Sequence, residues 1–103
     1  MTYKLIVSKE AHRDVDEIVT YIARELNNVK AAGEFLDEVE NSYRRIADNP
    51  FMYALCEDIR LHEKGYRKTV IKHYLILYRA DESGKIAYVT RVVYGARDYA
   101  KLL

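Results

Sequence analysis

The sequence predicts an α+β domain with element order β-α-α-β-β-β, in which a helical hairpin packs on one face of a mainly antiparallel four-stranded sheet. Three observations lead there. Apolar residues recur at helical spacing between residues 11 and 46, an alternating segment precedes them, and past Gly65 the period changes to that of strands. With 103 residues, half of them apolar, the chain has the size of one ordinary domain, 1–103, built around one core.

The first strand spans about residues 2–7, with Tyr3, Leu5 and Val7 on one side and Lys4 and Ile6 on the other. Ser8 then offers a helix N-cap, because its hydroxyl can accept from an amide of the first turn. Behind it Ala11, Val15, Ile18, Val19, Ile22 and Leu26 trace the apolar stripe of an amphipathic helix of about five turns. Asn27-Asn28 ends that helix and caps a second one, whose stripe is Ala32, Phe35, Leu36, Val39, Tyr43 and Ile46. Asp48-Asn49-Pro50 stops it, since proline has no N–H to donate and restricts the residue before it. So tight a connection predicts an antiparallel hairpin.

Residues 51–64 show no clear period. Phe51-Met52-Tyr53-Ala54-Leu55 reads as a connector whose large side chains pack under the helices, with room for a short helical turn. Strands follow at about 66–72, 74–80 and 86–94, the last two joined by a turn at Asp81-Glu82-Ser83-Gly84, which makes an antiparallel meander.

Several function classes fall away at this level. There is no run of eighteen apolar residues, and Met1 to Val7 has no signal-peptide architecture, so a soluble, cytoplasmic chain with no membrane partner is expected. Cys56 is the only cysteine and reads as a small apolar filler. His12, His62 and His73 are scattered, without metal-ligand spacing, and the four glycines form no phosphate-cradling loop, so neither metal nor cofactor is expected.

Charge is segregated along the chain. Residues 1–58 hold seven Lys/Arg against twelve Asp/Glu, whereas residues 59–103 hold ten against four. A basic half of this kind suits an anionic partner, because its cations act together on whatever approaches. The same half interleaves cations with rings, from Gly65-Tyr66-Arg67-Lys68 to Tyr94-Gly95-Ala96-Arg97-Asp98-Tyr99. Its last two strands place bulky groups on both sides: Tyr74, Ile76 and Tyr78 against Leu75 and Leu77, then Ile86, Tyr88, Val92 and Tyr94 against Val89 and Val93. A hairpin covers only one side, so a partner chain is expected on the other, in a groove or along an edge strand. Asp98 is placed to hold Arg97 or Arg91 in a surface ion pair.

The order strand, helical hairpin, Asn49-Pro50 break, Gly65-Tyr66-Arg67, Tyr74-Leu75-Ile76-Leu77-Tyr78 and Arg91-Val92-Val93-Tyr94-Gly95-Ala96-Arg97-Asp98-Tyr99 resembles the RelE/ParE superfamily of bacterial toxins from type II toxin–antitoxin modules, nearer its ParE (plasmid stabilisation) branch. The resemblance covers essentially the whole chain. It implies a toxin wrapped by a cognate antitoxin, for which Tyr74, Ile76, Tyr78 and Tyr88 are the candidate contacts.

The superfamily hosts two activities. RelE-like members cleave messenger RNA in the ribosome, which without a metal needs a base, an acid and cations converging on the phosphate. On that reading Arg67, Lys68, Arg97 and one of Tyr94 and Tyr99 are the candidate catalytic residues. This chain departs from the RelE pattern, with Leu75 where a central-strand arginine is expected and Leu103 near the position of the terminal tyrosine. It also lacks a His-Tyr pair after Gly95. ParE-like members instead poison DNA gyrase, which demands a binding surface. Arg67, Lys68, Lys72, Arg91, Tyr94, Arg97 and Tyr99 are the candidates for that target contact. A third alternative is a module that only binds its antitoxin and has lost toxicity.

Overall fold

A computed structural model describes residues 2–103. Strand β1 (Lys4–Val7) leads into helix α1 (Lys9–Thr20), which widens at its end into a π-helical turn, Tyr21–Glu25. Helix α2 (Val29–Asp48) returns antiparallel, and a short helix α3 (Ile59–Glu63) interrupts the connector. Strands β2 (Arg67–Ile71), β3 (Tyr74–Asp81) and β4 (Ile86–Tyr94) complete the sheet, followed by a 3-10 turn at Tyr99–Leu102.

The local signals act as expected. Ser8 Oγ accepts from the Ala11 amide at 3.0 Å, and Asn28 Oδ1 does the same for Ala31. Asp58, which the sequence did not single out, caps α3 through the Arg60 amide at 2.9 Å.

The sheet order is β1-β4-β3-β2, with antiparallel pairing in the meander and β1 parallel to β4, so the sheet is mixed. The parallel pair follows from connectivity: the meander starts at the far edge and brings its last strand back beside the first. Ser8 ties the two together, donating from its hydroxyl to the Thr90 carbonyl at 2.7 Å.

The hairpin packs on the face that carries Ile71, Ile76, Tyr78, Ala87, Val89 and Val92, against Ala11, Val15, Ile22, Phe35, Val39 and Ile46. This corrects the expectation that Tyr74, Ile76 and Tyr78 face a partner. Ile76 and Tyr78 are fully buried under the chain's own helices, and the Tyr78 hydroxyl donates to the Pro50 carbonyl at 2.6 Å. Tyr74 lies half-buried beside them, its ring edge-on to Phe35 at 5.3 Å. Burying such side chains stabilises the fold by about 2 kcal/mol each, which the intramolecular partners already supply.

A bulge lies where Leu77 pairs with Arg91 but Tyr78 with Val89. Thr90 is the extra residue, and it puts Val89 and Val92 on the same face, which strict alternation forbids. The expected grouping of Val92 with Tyr88 therefore fails.

The reverse face is also partly sealed from within. Leu75, Leu77 and Val93 form a second cluster with Cys56, Leu61 and Tyr66, onto which Tyr99, Ala100, Leu102 and Leu103 fold. The connector thus divides: Tyr53 packs on the helical side, as expected, Phe51 and Met52 stay exposed against that expectation, and Cys56 and Leu61 cross to the other face.

Candidate functional site

Strand alternation disperses the expected cations. Arg67 pairs with Tyr78 and lies on the helical face, its guanidinium donating to the Tyr53 carbonyl and stacking 5.1 Å over the Phe51 ring. Lys68, the next residue, pairs with Leu77 and points to the reverse face. Lys72 sits in the two-residue turn between β2 and β3, in a left-handed conformation with φ 53°. Arg97 borders a shallow depression shared with Asp14, Glu17 and Tyr21 of the hairpin. Tyr94 is half-exposed, edge-on to Tyr74 at 5.8 Å, and Tyr99 packs on the reverse cluster.

Arg91 is a correction. It was expected to meet a target, yet its Nε and Nη2 donate to both oxygens of Asp14 at 2.7 and 2.9 Å, with only 20% of its side chain exposed. That pairing pushes the Arg91 guanidinium pKa further up. Asp98, expected beside Arg97 or Arg91, instead accepts from Arg60 at 3.2 Å and lies 3.7 Å from Lys101.

What the fold does bring together is a groove on the reverse face, with a volume of about 320 Å³, whose wall holds Lys64, Arg79 and Tyr88 together with one carboxylate, Asp81, which accepts from the Ser83 hydroxyl and the Gly84 amide. Arg79 and Tyr88 are paired across β3 and β4, and the Arg79 guanidinium lies 5.1 Å over the Tyr66 ring. Lys68 stands on the same face, near Cys56, whose thiol pKa burial pushes up against the pull of that lysine. Among the described residues, Lys64, Lys68 and Arg79 have no carboxylate within ion-pair distance. Tyr88 is 36% exposed, and Val70, also on this face, is 63% exposed.

Of the sequence candidates, Lys68 and Tyr88 belong to this surface. Lys64, Tyr66 and Arg79 were not singled out as site residues. One signal for Arg79 was present: it follows Leu75 and Leu77 at the two-residue spacing of one strand face. Nothing in the aperiodic connector marked Lys64.

A four-stranded mixed sheet with a helical hairpin packed on one side matches the RelE/ParE-like fold. The chain is similar in structure to the chromosomal ParDE toxin–antitoxin system of P. aeruginosa, with a TM-score of 0.71 at 15% identity over 90% of this chain and 96% of that one. It is similar to a free arginine double mutant of the E. coli toxin RelE, with a TM-score of 0.67 at 10% identity over 99% and 93%. The RelBE2 toxin–antitoxin complex of Mycobacterium tuberculosis gives 0.64 at 17% identity over 91% and 99%. Among curated proteins none matches the sequence. The model of the ParE toxin family of type II toxin–antitoxin systems, parDE, matches residues 5–99, and the chain belongs to that family.

Proposed function

We propose that this toxin is held inactive by a cognate antitoxin and, when released, inhibits DNA gyrase by binding it, in the manner of the ParE branch. One observation carries the choice of binding over RNA cleavage: the residues that a metal-free ribonuclease would need do not converge. Tyr94 and Arg97 do lie together beside Tyr74, but Arg67 stands further along the sheet opposite Tyr78, Lys68 is on the reverse face, and Tyr99 is packed on the reverse cluster. Proton transfer and charge neutralisation on one phosphate require groups within hydrogen-bond reach of it. A binding surface has no such requirement, and the groove of Lys64, Arg79 and Tyr88, with Lys68 beside it, offers unpaired cations that accelerate encounter with an acidic surface. The antitoxin half of the reading is supported by the ParDE and RelBE systems that share the fold.

The test uses purified protein in two assays. Added to DNA gyrase it abolishes supercoiling, and added to programmed ribosomes it leaves the message intact. Message cleavage with undisturbed supercoiling sinks this reading in favour of a RelE-like endoribonuclease. Silence in both, with antitoxin binding retained, leaves only the non-toxic module.

A further inference from the structure

On the helical side, the π-helical turn, the start of α2 and the β2–β3 turn enclose a second concavity, of about 180 Å³. Its floor and walls are apolar: Ile22, Ala31, Phe35 and Tyr74, with Leu26 at the lip. An apolar cavity of about 150 Å³ is large enough to hold benzene. The space therefore suits one leucine- or phenylalanine-sized side chain.

Four observations point to an occupant and its charge. Leu26 is 56% exposed, so the lip offers apolar surface to something outside. The charged residue lining the concavity is Lys72, accompanied by His73, with no Asp or Glu among the lining residues. Lys72 makes no ion pair among the described residues, and its left-handed φ of 53° is what the two-residue hairpin turn requires. The wall itself is a π-turn, closed by the Leu26 amide donating to the Tyr21 carbonyl, a rare geometry that often marks functional sites.

We propose that this concavity is the anchor pocket for an acidic amphipathic segment of the antitoxin. One large apolar side chain of that segment enters between Ile22, Phe35 and Tyr74, and a carboxylate beside it meets the Lys72 ammonium. The inference rests on the toxin–antitoxin reading and adds the place and the chemistry of engagement.

Short helical peptides of defined composition probe it, titrated into the isotope-labelled protein: one of leucine and glutamate, one of leucine and lysine, and one with the leucines replaced by serine. The leucine–glutamate peptide alone shifts the amides of residues 22–35 and 72–74. Lys72→Glu and Leu26→Asp, both exposed positions, each weaken it about tenfold with melting temperature unchanged. Equal binding of all peptides, or binding indifferent to both substitutions, overturns the pocket. Co-expression with the small protein encoded beside the toxin separates the two layers of inference. If both variants are neutralised as well as wild type, the pocket fails and the module stands. If wild type is not neutralised, the module reading fails and takes the pocket with it.

Discussion

Asp14 takes the place of a strand partner along β4 and holds Arg91 while doing so. β1 ends at Val7, opposite Val89, and the edge of β4 beyond it has no strand beside it. Asp14 Oδ2 accepts from the Val92 amide at 2.9 Å as well as from Arg91 Nε, so one carboxylate satisfies a backbone donor and a guanidinium. Helix α1 is thereby locked to the sheet through an acidic residue at the border of its apolar stripe, between Ala11 and Ile18.

Removing that carboxylate strands both donors. Asp14→Ala is expected to cost about 2–4 kcal/mol in urea unfolding, with Arg91→Ala costing less because the Val92 bond survives. A double-mutant cycle separates the shared part. Any loss of toxicity in Arg91→Ala should track the lost stability; a folded, equally stable variant without toxicity would restore Arg91 to the target surface.

Two tyrosines test the core from opposite directions. The Tyr78 hydroxyl is bonded to the Pro50 carbonyl, whereas the Tyr43 hydroxyl is buried with no partner. Tyr78→Phe should destabilise by about 1–2 kcal/mol and Tyr43→Phe should be neutral or stabilising, since it removes an unsatisfied group. Burial pushes both phenols up to about 12, so in each the neutral form is favoured in the folded state. Their contribution is intact below the unfolded phenol pKa of about 10 and lost as pH rises from there towards 12. Thermal melts across that window should fall less steeply in either Phe variant.

Acid should loosen the start of α3. The side-chain hydrogen bonds from Arg60, followed by the Arg60 backbone amide, lower the Asp58 carboxyl pKa to about 2. A depressed carboxyl stabilises above its unfolded pKa of about 3.9 and loses that contribution as pH falls through the folded value. Asp58→Asn should flatten the decline in melting temperature between about pH 4 and pH 2. An unchanged profile would mean that the cap does not couple to global unfolding.

Charge reversal in the groove should separate binding from folding. Arg79→Glu and Lys64→Glu are expected to raise the concentration needed for half-inhibition of gyrase about tenfold each, with stability within about 0.5 kcal/mol of wild type for Lys64→Glu and within about 1 kcal/mol for Arg79→Glu, which loses its stack over Tyr66. Raised salt should weaken the wild type more than the variants. Undiminished inhibition by both would move the target surface away from this groove.

Much of the fold was legible because its signals are local. Ser8, Asn28 and the Asp48-Asn49-Pro50 break act within one helical turn, and the two hydrophobic periods report which residues share a face. The candidate site was legible only in part. Tyr74, Ile76 and Tyr78 do share a face, but their spacing carries no information about whether helices or a partner cover it. The bulge at Thr90 adds one residue to a strand whose composition gives no warning of it, and it reshuffled the faces of β4.

By itself the sequence determined the order of elements, the helical hairpin, the meander and a cationic second half, because caps, breaks and periodicity act over a few residues. The tertiary structure decided which sheet face the hairpin seals, how the aperiodic stretch behind Pro50 crosses to the reverse, and which cations remain unpaired. Those outcomes depend on groups far apart in the chain, as Asp14 and Arg91 are at 77 positions, and only their packing brings donor and acceptor within reach.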